Sequence, residues 1–471
     1  MVRQLTTRAQ VSGYRFLLQR AEHALVRRDA RMLHDPMRLQ RQSIMVGLVV
    51  AILVAAGAGV YGLIRPVGSV ADAPIVLNRS DGGLYVVVDH TAHPVLNLAS
   101  ARLIAQTPAV PKEVSAAALR DLPRGPTLGI IGAPNALGGG SSATWRVCDV
   151  ATADGDAPGR TAVIIGDDGG AAESGAGDHG GLFAVVDGRQ YLVYRLGTGS
   201  EARTVRARVD AGDAPVRRAL RLEGAVPRQL SAGLVNAIEE VAPLAIPVIP
   251  AAGRPGALGL PVGAVFAVRA LDGRAEHYVA LADGVQPVSA VAAEILRLAG
   301  DPSSTSVPTV SPARAAAVPI VAALATAHFP ARIPRLLTVA DAPVICQRWY
   351  RPAGAPAATV VLLGGHRIPG GRPIVPVGAD GSGPAVDEIV IAPGTTYDVR
   401  VTGIDPRSPR RHSRFIVGDT GIRYSVADDV TATTLGLGEP GLAPWPILGL
   451  LPAGPDLSRA RALVAHGGFE Q

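Results

Sequence analysis

An uninterrupted apolar segment near the amino end constrains this chain more than any other feature. Residues 44–64 carry no charged side chain, and Arg41 and Arg65 flank them. At about 1.5 Å of rise per residue, a helix of this length spans roughly 30 Å, which is the thickness of the hydrocarbon core of a bilayer. The segment therefore predicts a single transmembrane helix at residues 43–65.

The charges on the two sides of this segment are unequal. Residues 1–42 hold nine arginines and three acidic residues, so the whole net charge of +6 lies there and the rest of the chain is balanced. Because the more positive flank stays in the cytoplasm, we expect a cytoplasmic amino-terminal segment and a body on the outer side of the membrane. A leader of this length and an apolar segment longer than an h-region argue against a cleaved signal peptide. The body has no basic stripe interleaved with aromatics, so no nucleic-acid partner is expected.

The basic segment has its own pattern. Residues 6–29 predict an amphipathic helix, with arginines on one side and apolar residues on the other, namely Val11, Phe16 or Leu17, Leu18, Ala21 and Leu25. Such a helix can lie on anionic lipid or dock against a protein partner, and the pattern does not choose between them.

The body contains internal repeats. The sequence VPKEVSA at 110–116 recurs as VPRQLSA at 226–232, and in both the serine, Ser115 or Ser231, is a predicted helix N-cap. A second pair links Tyr85 to Tyr278, each followed by Pro-Val after the same spacing. A degenerate fourth copy ends the chain, with a strand at 422–426.

A further duplication lies between the repeats. Cys148 and Cys346 each precede an apolar strand that ends in glycine, Gly166 or Gly364, at the same spacing of 18 residues. These alignments predict an α+β fold, in which four small β-α repeats surround a β-rich central core with pseudo-twofold symmetry. The predicted boundaries are 1–42 cytoplasmic segment, 43–65 transmembrane helix, 66–134 linker and repeat 1, 135–180 first core half, 181–254 repeat 2, 255–322 repeat 3, 323–420 second core half, and 421–471 repeat 4 with the tail.

The two cysteines are the only ones in the chain, and both follow the apolar segment. A pair outside the cytoplasm with no third cysteine favours one disulfide, closing a loop of 198 residues. Two buried free thiols are the alternative.

No group of residues predicts an active site. The only lysine, Lys112, has no glycine-rich loop before it, which excludes a Walker A motif. The histidines His90 and His93 lack a third metal ligand. The glycine runs at 138–140 and 166–170 favour surface loops. The acidic pairs at 167–168, 239–240 and 428–429 favour solvated carboxylates. We therefore expect no enzyme activity, no metal and no cofactor.

Several of these segments together resemble one known family. The stretch QVSGYRF at 10–16, the residues DARM at 29–32 with Asp35-Pro36, the stretch LSAGLVNAI at 230–238, the two cysteines and the PWP at 444–446 resemble EccB. EccB is a membrane component of the mycobacterial type VII (ESX) secretion system, and the resemblance covers essentially the whole chain.

The resemblance implies a structural subunit of the inner-membrane translocation complex. It implies EccC, EccD, EccE and the mycosin protease as partners, with pairing of the periplasmic body with other copies of itself. It also implies a Cys148–Cys346 disulfide, and cytoplasmic contact residues Val11, Tyr14, Arg15, Phe16, Arg31, Met32, Asp35 and Pro36. Two alternatives stay open: a membrane-tethered peptidoglycan-binding protein, and an ATPase, as members of the family are sometimes labelled.

Overall fold

The chain forms two compact units, Met1–Ser69 and Val70–Gln471. The computed structural model describes residues 7–28, 36–64, 70, 73–152, 158–166, 174–175, 180–270, 273–300, 306–382 and 385–467. The first unit contains helix α1 (Arg8–Arg27) and helix α2 (Pro36–Ile64). The second unit holds the described strands and the remaining helices, which confirms the predicted α+β class with one long amino-terminal apolar helix.

Four repeats in the second unit share one topology. Three antiparallel strands are followed by a helix, and a fourth strand then returns parallel to the first strand, giving the sheet order 3-2-1-4 in the first repeat. The first repeat consists of β1 (Ile75–Asn78), β2 (Leu84–Val88), β3 (Thr91–Pro94), α3 (Leu98–Ala105), β4 (Lys112–Val114), α4 (Ala116–Arg120) and β5 (Thr127–Leu128).

The second and third repeats follow the same plan on either side of a proline-rich connection. The second contains β9 (Gly180–Val186), β10 (Arg189–Leu196), β11 (Arg203–Val209), α5 (Ala214–Ala219), β12 (Arg228–Gln229), α6 (Ala232–Asn236) and β13 (Glu239–Leu244). The third contains β14 (Val265–Arg269), β15 (Ala275–Ala280), β16 (Val285–Val288), α7 (Ala290–Gly300), β17 (Thr309–Val310) and α8 (Pro312–Ala315). Short 3₁₀ turns occupy Gly199–Glu201 and Ala257–Gly259.

The fourth repeat begins earlier than residue 421, where the sequence placed it. Its first strand is Tyr397–Thr402, which pairs parallel with the fourth strand of the repeat and antiparallel with the second. The repeat contains β22 (Tyr397–Thr402), β23 (Arg414–Val417), β24 (Arg423–Val426), α9 (Asp429–Thr434), β25 (Gly441–Pro444), α10 (Trp445–Leu448), α11 (Arg459–Ala462) and β26 (Ala465–His466). The other predicted boundaries stay predictions.

A six-stranded central sheet lies between the two halves of the body. Its strand order is β21-β7-β6-β19-β20-β8, from β6 (Thr144–Ala151), β7 (Pro158–Ile165), β8 (Ser174–Gly175), β19 (Val344–Tyr350), β20 (Thr359–Gly365) and β21 (Glu388–Val390). The short strand β18 (Arg335–Leu336) joins the sheet of the second repeat instead. The two strands that bear the cysteines are antiparallel neighbours at the centre, as the predicted pseudo-twofold symmetry requires.

Apolar packing connects the repeats in a fixed order. One core cluster joins the central sheet to the second and fourth repeats, and the fully buried Trp145 and Trp349 lie in it. A second cluster joins the first repeat to the fourth, and a third joins the second repeat to helix α7 of the third. The contacts therefore run from repeat 1 through repeat 4, the central sheet and repeat 2 to repeat 3.

Candidate partner-binding surfaces

Helix α1 begins at a capping box. Thr7 is the N-cap, its backbone N–H donates to Gln10 Oε1 at 2.9 Å, and its side chain accepts from the Gln10 N–H. These two bonds satisfy backbone donors that have no partner within the first turn, so the helix has a defined start. Its C-cap is Arg28, whose φ of 55° is left-handed.

One face of α1 is an apolar stripe, formed by Val11, Tyr14, Leu17, Leu18, Ala21 and Leu25. A helix turns about 100° per residue, so these six positions share one side. They are exposed within the first unit; Leu25, for example, has 84% of its surface accessible. An apolar stripe of this width on an exposed helix favours contact with a lipid surface or a protein partner.

The predicted contact residues in α1 do not share one face. Val11 and Tyr14 lie on the stripe and Arg15 lies beside it, whereas Phe16 is about 160° from the centre of the stripe. Helix geometry therefore places Leu17, and not Phe16, with the other apolar residues.

The remaining predicted contact residues lie between the two helices. Arg31, Met32 and Asp35 fall outside the described residues. Pro36 is the first residue of α2, where proline fits because a first-turn N–H has no partner within the helix. Beyond the predicted stretches, Arg41 of α2 forms an ion pair with Glu22 of α1 at 3.5 Å.

Helix α2 carries the candidate membrane span. Leu39–Tyr61 is the one stretch of the described residues that is long and apolar enough to cross a bilayer, and none of it is buried by other residues. The helix starts seven residues before the predicted segment 43–65, so its first turns carry polar and basic side chains.

The two cysteines meet at the centre of the body. Cys148 on β6 and Cys346 on β19 face each other across neighbouring antiparallel strands and are joined by a disulfide. Both side chains are almost fully buried, in an apolar cluster on the face of the sheet that lies opposite Trp145 and Trp349. The disulfide thus cross-links the two halves of the body in the middle of its sheet.

A buried carboxyl group on the other face connects the central sheet to the second repeat. Asp149 on β6 is 1% exposed and accepts hydrogen bonds from the Ser231 N–H and hydroxyl, both at 2.7 Å, and from the Thr161 hydroxyl at 3.1 Å. Burial raises the pKa of Asp149, and these hydrogen bonds and the charge of Arg228 oppose that rise. Sequence reasoning identified Ser231 as a cap and missed its carboxylate partner, because the two are 82 residues apart.

A second buried ion pair lies in the fourth repeat. Arg414 Nε donates to Asp398 Oδ1 at 2.8 Å across β22 and β23, and both side chains are under 10% exposed. The hydrogen bond that Arg414 donates to Asp398 raises the pKa of Arg414. This pair contributes to the packing of the sheet and does not line an open site.

The acidic pairs of the sequence have structural partners where they are described. Glu239 pairs with Arg203 at 2.8 Å and Glu240 with Arg206 at 2.8 Å. In the third pair, Asp428 accepts from the Thr431 N–H as the N-cap of α9, and this hydrogen bond lowers its pKa; Asp429 pairs with Arg400. The pair at 167–168 lies outside the described residues.

The two histidines and the glycine runs that the sequence analysis considered do not form a metal site in the described part of the chain. His90 lies in the turn before β3 and His93 within β3, where its Nδ1 is 3.1 Å from Pro126 O. No group of three or more possible metal ligands occurs in the described part of the chain. The glycine run at 138–140 is exposed and lies outside the named helices and strands, which confirms the predicted surface loop there, although a Cβ on Gly139 would lie 1.5 Å from Thr396 O. In the second glycine run, residues 167–170 lie outside the described residues.

The repeats expose apolar side chains at equivalent places. Val110 and Val226 occupy the same position before the fourth strand of the first and second repeats, and they are 80% and 89% exposed. Large apolar side chains that are repeated and exposed favour protein contact surfaces over solvated display.

Comparison with known proteins gives one consistent result. The family model described as "Type VII secretion system ESX-1, transport TM domain B" (EccB) matches residues 3–471. The chain is 36% identical to the ESX-3 secretion system ATPase EccB3 of Mycolicibacterium smegmatis, over 98% of this chain and 91% of that protein. It is 35% identical to the ESX-1 secretion system ATPase EccB1 of Mycobacterium tuberculosis, over 98% of this chain and 95% of that protein.

Solved structures agree with the sequence relatives. A chain of an intact ESX-5 inner membrane complex superposes with a TM-score of 0.69 at 31% identity, covering 100% of this chain and 98% of that chain. An EccB3 dimer from the ESX-3 core complex gives a TM-score of 0.69 at 34% identity, covering 84% of this chain and 100% of that chain.

Proposed function

Because this chain belongs to the EccB family of type VII secretion membrane components, we propose that it is a structural subunit that couples cytoplasmic partners to a periplasmic assembly. The observation that carries the proposal is the division of the chain into an exposed amphipathic helix, one apolar helix and a large disulfide-linked body of repeats. Each part offers a surface on one side of a membrane or within it.

The proposed orientation places α1 in the cytoplasm and the body outside. The nine arginines before the apolar helix support it through the positive-inside bias. An alkaline phosphatase fused after residue 471 should be active in cells, whereas the same enzyme fused before residue 1 of the full chain should be inactive. The reverse pattern would contradict the orientation.

The apolar stripe of α1 is the proposed docking surface for EccC, EccD or EccE. Leu18→Asp puts a charge on the stripe, and Gln19→Asp adds the same charge on another face of the same helix. We expect Leu18→Asp to lose the partners on gentle detergent extraction while Gln19→Asp retains them, with both proteins in the membrane fraction. An intact complex with Leu18→Asp would assign the stripe to lipid or to solvent.

The predicted contact residues outside the stripe are tested separately. Replacing Phe16 together with Arg31 should weaken assembly on a native gel and leave membrane insertion unchanged. An unchanged complex would remove these two residues from the interface.

The body is proposed to pair with another copy of itself and to contact the mycosin protease. The exposed Val110 and Val226 support a contact surface on the repeats. Val110→Asp with Val226→Asp should lower the mass of the detergent-solubilised complex by light scattering. Val377→Asp, a change of the same kind at an exposed valine outside the repeats, should leave the mass unchanged.

The proposed role is non-enzymatic. The relatives are named as ATPases, but the one lysine of this chain lies in strand β4 and not after a phosphate-binding glycine loop. Calorimetry of the purified protein with ATP and Mg²⁺ should give no saturable heat, and saturable heat would restore the ATPase alternative. The peptidoglycan-binding alternative stays a prediction, which pelleting of the purified protein with isolated cell wall tests.

A further inference from the structure

A half-open cavity in the fourth repeat has the chemistry of a ligand site. Its volume is about 520 Å³, within the range of small-molecule pockets, and it lies where β22 ends and α10 begins. The indole of Trp445 and the ring of Phe415 form the aromatic part of its wall, with ring centroids 6.1 Å apart. Trp445 is 45% exposed, although a side chain of its size is usually covered in a monomer.

The aromatic pair is held in place from one side. The Arg423 guanidinium lies 5.2 Å from the centre of the Trp445 ring and 5.7 Å from that of Phe415. Arg423 Nε also donates to Leu451 O at 3.1 Å, so the cation itself is fixed. The exposed part of the indole is therefore a preorganised platform and not a mobile surface side chain.

The cavity wall also carries polar and cationic side chains. None of its ten lining residues is acidic. Arg410 and His412 lie on its rim and are exposed, and Arg410 has no ion pair with any described residue. Thr402, which also lines the cavity, has a buried hydroxyl that lacks a hydrogen-bond partner among the described residues.

The backbone around the cavity is already paired. The Val401 N–H donates to Ser413 O and the His412 N–H to Val401 O, both at 3.0 Å, and β22 pairs with β25 on its other side. An extended peptide cannot add to this edge by main-chain hydrogen bonds, so the cavity suits a compact ligand better than a peptide strand.

We propose that this cavity binds a small sugar that carries a carboxylate. The sugar ring lies against the exposed indole of Trp445, its hydroxyl groups meet the polar side chains of the wall, and its carboxylate pairs with Arg410. A planar guanidinium suits a carboxylate because it offers two parallel donors. This inference goes beyond the proposed assembly role and does not depend on it.

Tryptophan fluorescence makes the site directly observable. The chain has three tryptophans, and Trp145 and Trp349 are at most 1% exposed, so collisional quenching by iodide reports on Trp445. The full-length protein in detergent, at physiological salt, is titrated with methyl glucuronide and, in parallel, with methyl glucoside, which carries a hydroxymethyl group in place of the carboxylate. We expect saturable protection of the indole by the glucuronide, with the glucoside at least tenfold weaker.

Two arginine variants separate recognition from bulk charge. Arg410→Gln should weaken glucuronide binding about tenfold. Arg407→Gln removes the same charge from the same loop at a residue that pairs with Glu201 and does not line the cavity, and it should bind as the wild type does.

Four results would overturn the proposal. No saturable protection, or equal binding of both sugars, would remove the acidic sugar. Equal loss of glucuronide affinity in the two arginine variants would show that long-range charge, and not contact with Arg410, attracts the sugar. Tighter binding of N-acetylleucine than of the glucuronide would assign the cavity to a peptide chain end. Because the assay needs no partner subunit, its failure leaves the assembly proposal untouched, and a failed partner assay leaves this one untouched.

Discussion

Asp149 is a carboxyl group that the fold buries between the central sheet and the second repeat. Its carboxylate accepts a hydrogen bond from the Ser231 hydroxyl. Ser231 in turn caps helix α6, because its hydroxyl oxygen accepts from the Leu234 N–H at 3.0 Å. One side chain therefore connects a sheet strand, a loop and a helix start. Burial of an ionised carboxylate is unfavourable, so the site is stable only because each of its hydrogen bonds is made.

Substitution of Asp149 separates its hydrogen bonds from its charge. Asp149→Ala leaves the Ser231 N–H buried without a partner and should lower the free energy of unfolding by about 3 kcal/mol. Asp149→Asn can still accept from that N–H and donate to the hydroxyls, so it should cost less than about 1 kcal/mol at pH 7. Urea unfolding of the two variants measures both, and equal losses would contradict the role given to the hydrogen bonds.

The same residue predicts a pH dependence. Burial raises the pKa of Asp149, so the folded state binds this proton more tightly than the unfolded state does. Its contribution to stability is present at low pH and is lost as the pH rises from the unfolded pKa, near 4, through the raised folded pKa. Subtracting the stability curve of Asp149→Asn from that of the wild type should give a difference that falls with pH. A difference that rises with pH would show that the hydrogen bonds outweigh burial.

At the scale of elements, strands β6 and β19 place matching residues opposite each other. Trp145 pairs with Trp349 and Cys148 with Cys346 in one register. A slip of one residue would exchange the tryptophan face for the cysteine face, so the register is specified by both sets of side chains. The disulfide fixes the register covalently.

Removal of the disulfide should be costly and still compatible with the native sheet. Cys148→Ala with Cys346→Ala frees a loop of 198 residues in the unfolded chain, which lowers the free energy of unfolding by up to about 5 kcal/mol. Urea unfolding under non-reducing conditions measures the loss. Reductant alone should leave the folded wild type unchanged because both sulfurs are buried, and rapid reduction of the native protein would contradict this burial.

The sequence predicted some elements of the repeats and missed others for identifiable reasons. The matched segments at 110–116 and 226–232 correctly place β4 with α4 and β12 with α6, and Ser115 and Ser231 are confirmed as N-caps. The third copy, Val307-Pro308-Thr309-Val310-Ser311, has the same cap but one residue fewer between proline and serine, so a fixed-offset alignment passes over it.

Tertiary pairing explains the other omissions. Strand β22 belongs to the fourth repeat through its pairing with β25, about 40 residues later, and no local pattern marks that partner. The cavity at Trp445 likewise combines two separate segments, of which the sequence analysis named only the PWP at 444–446.

At the scale of the whole body, the carboxyl-terminal residues connect the fourth repeat to the first. Helix α11 packs against α3, and β26 pairs with β5 of the first repeat. Leu457 and Ala462 are fully buried in the core that the first and fourth repeats share. The repeat nearest the membrane helix in sequence is thus stabilised by the carboxyl-terminal residues.

Removal of this contact should loosen the first repeat selectively. In a chain that ends at residue 458, strand β5 loses the pairing of Leu128 with Ala465 and the contact of His466 Nε2 with Gly129 O at 2.7 Å. Loss of about 1.4 kcal/mol of local stability is a tenfold faster exchange, so amide exchange at 127–130 should accelerate at least tenfold. Exchange in β10 of the second repeat, which lies across the central sheet, should stay unchanged and provides the internal control. Equal acceleration in both repeats would show that the body unfolds as one cooperative unit, whereas no acceleration in β5 would show that the first repeat is stable without the tail.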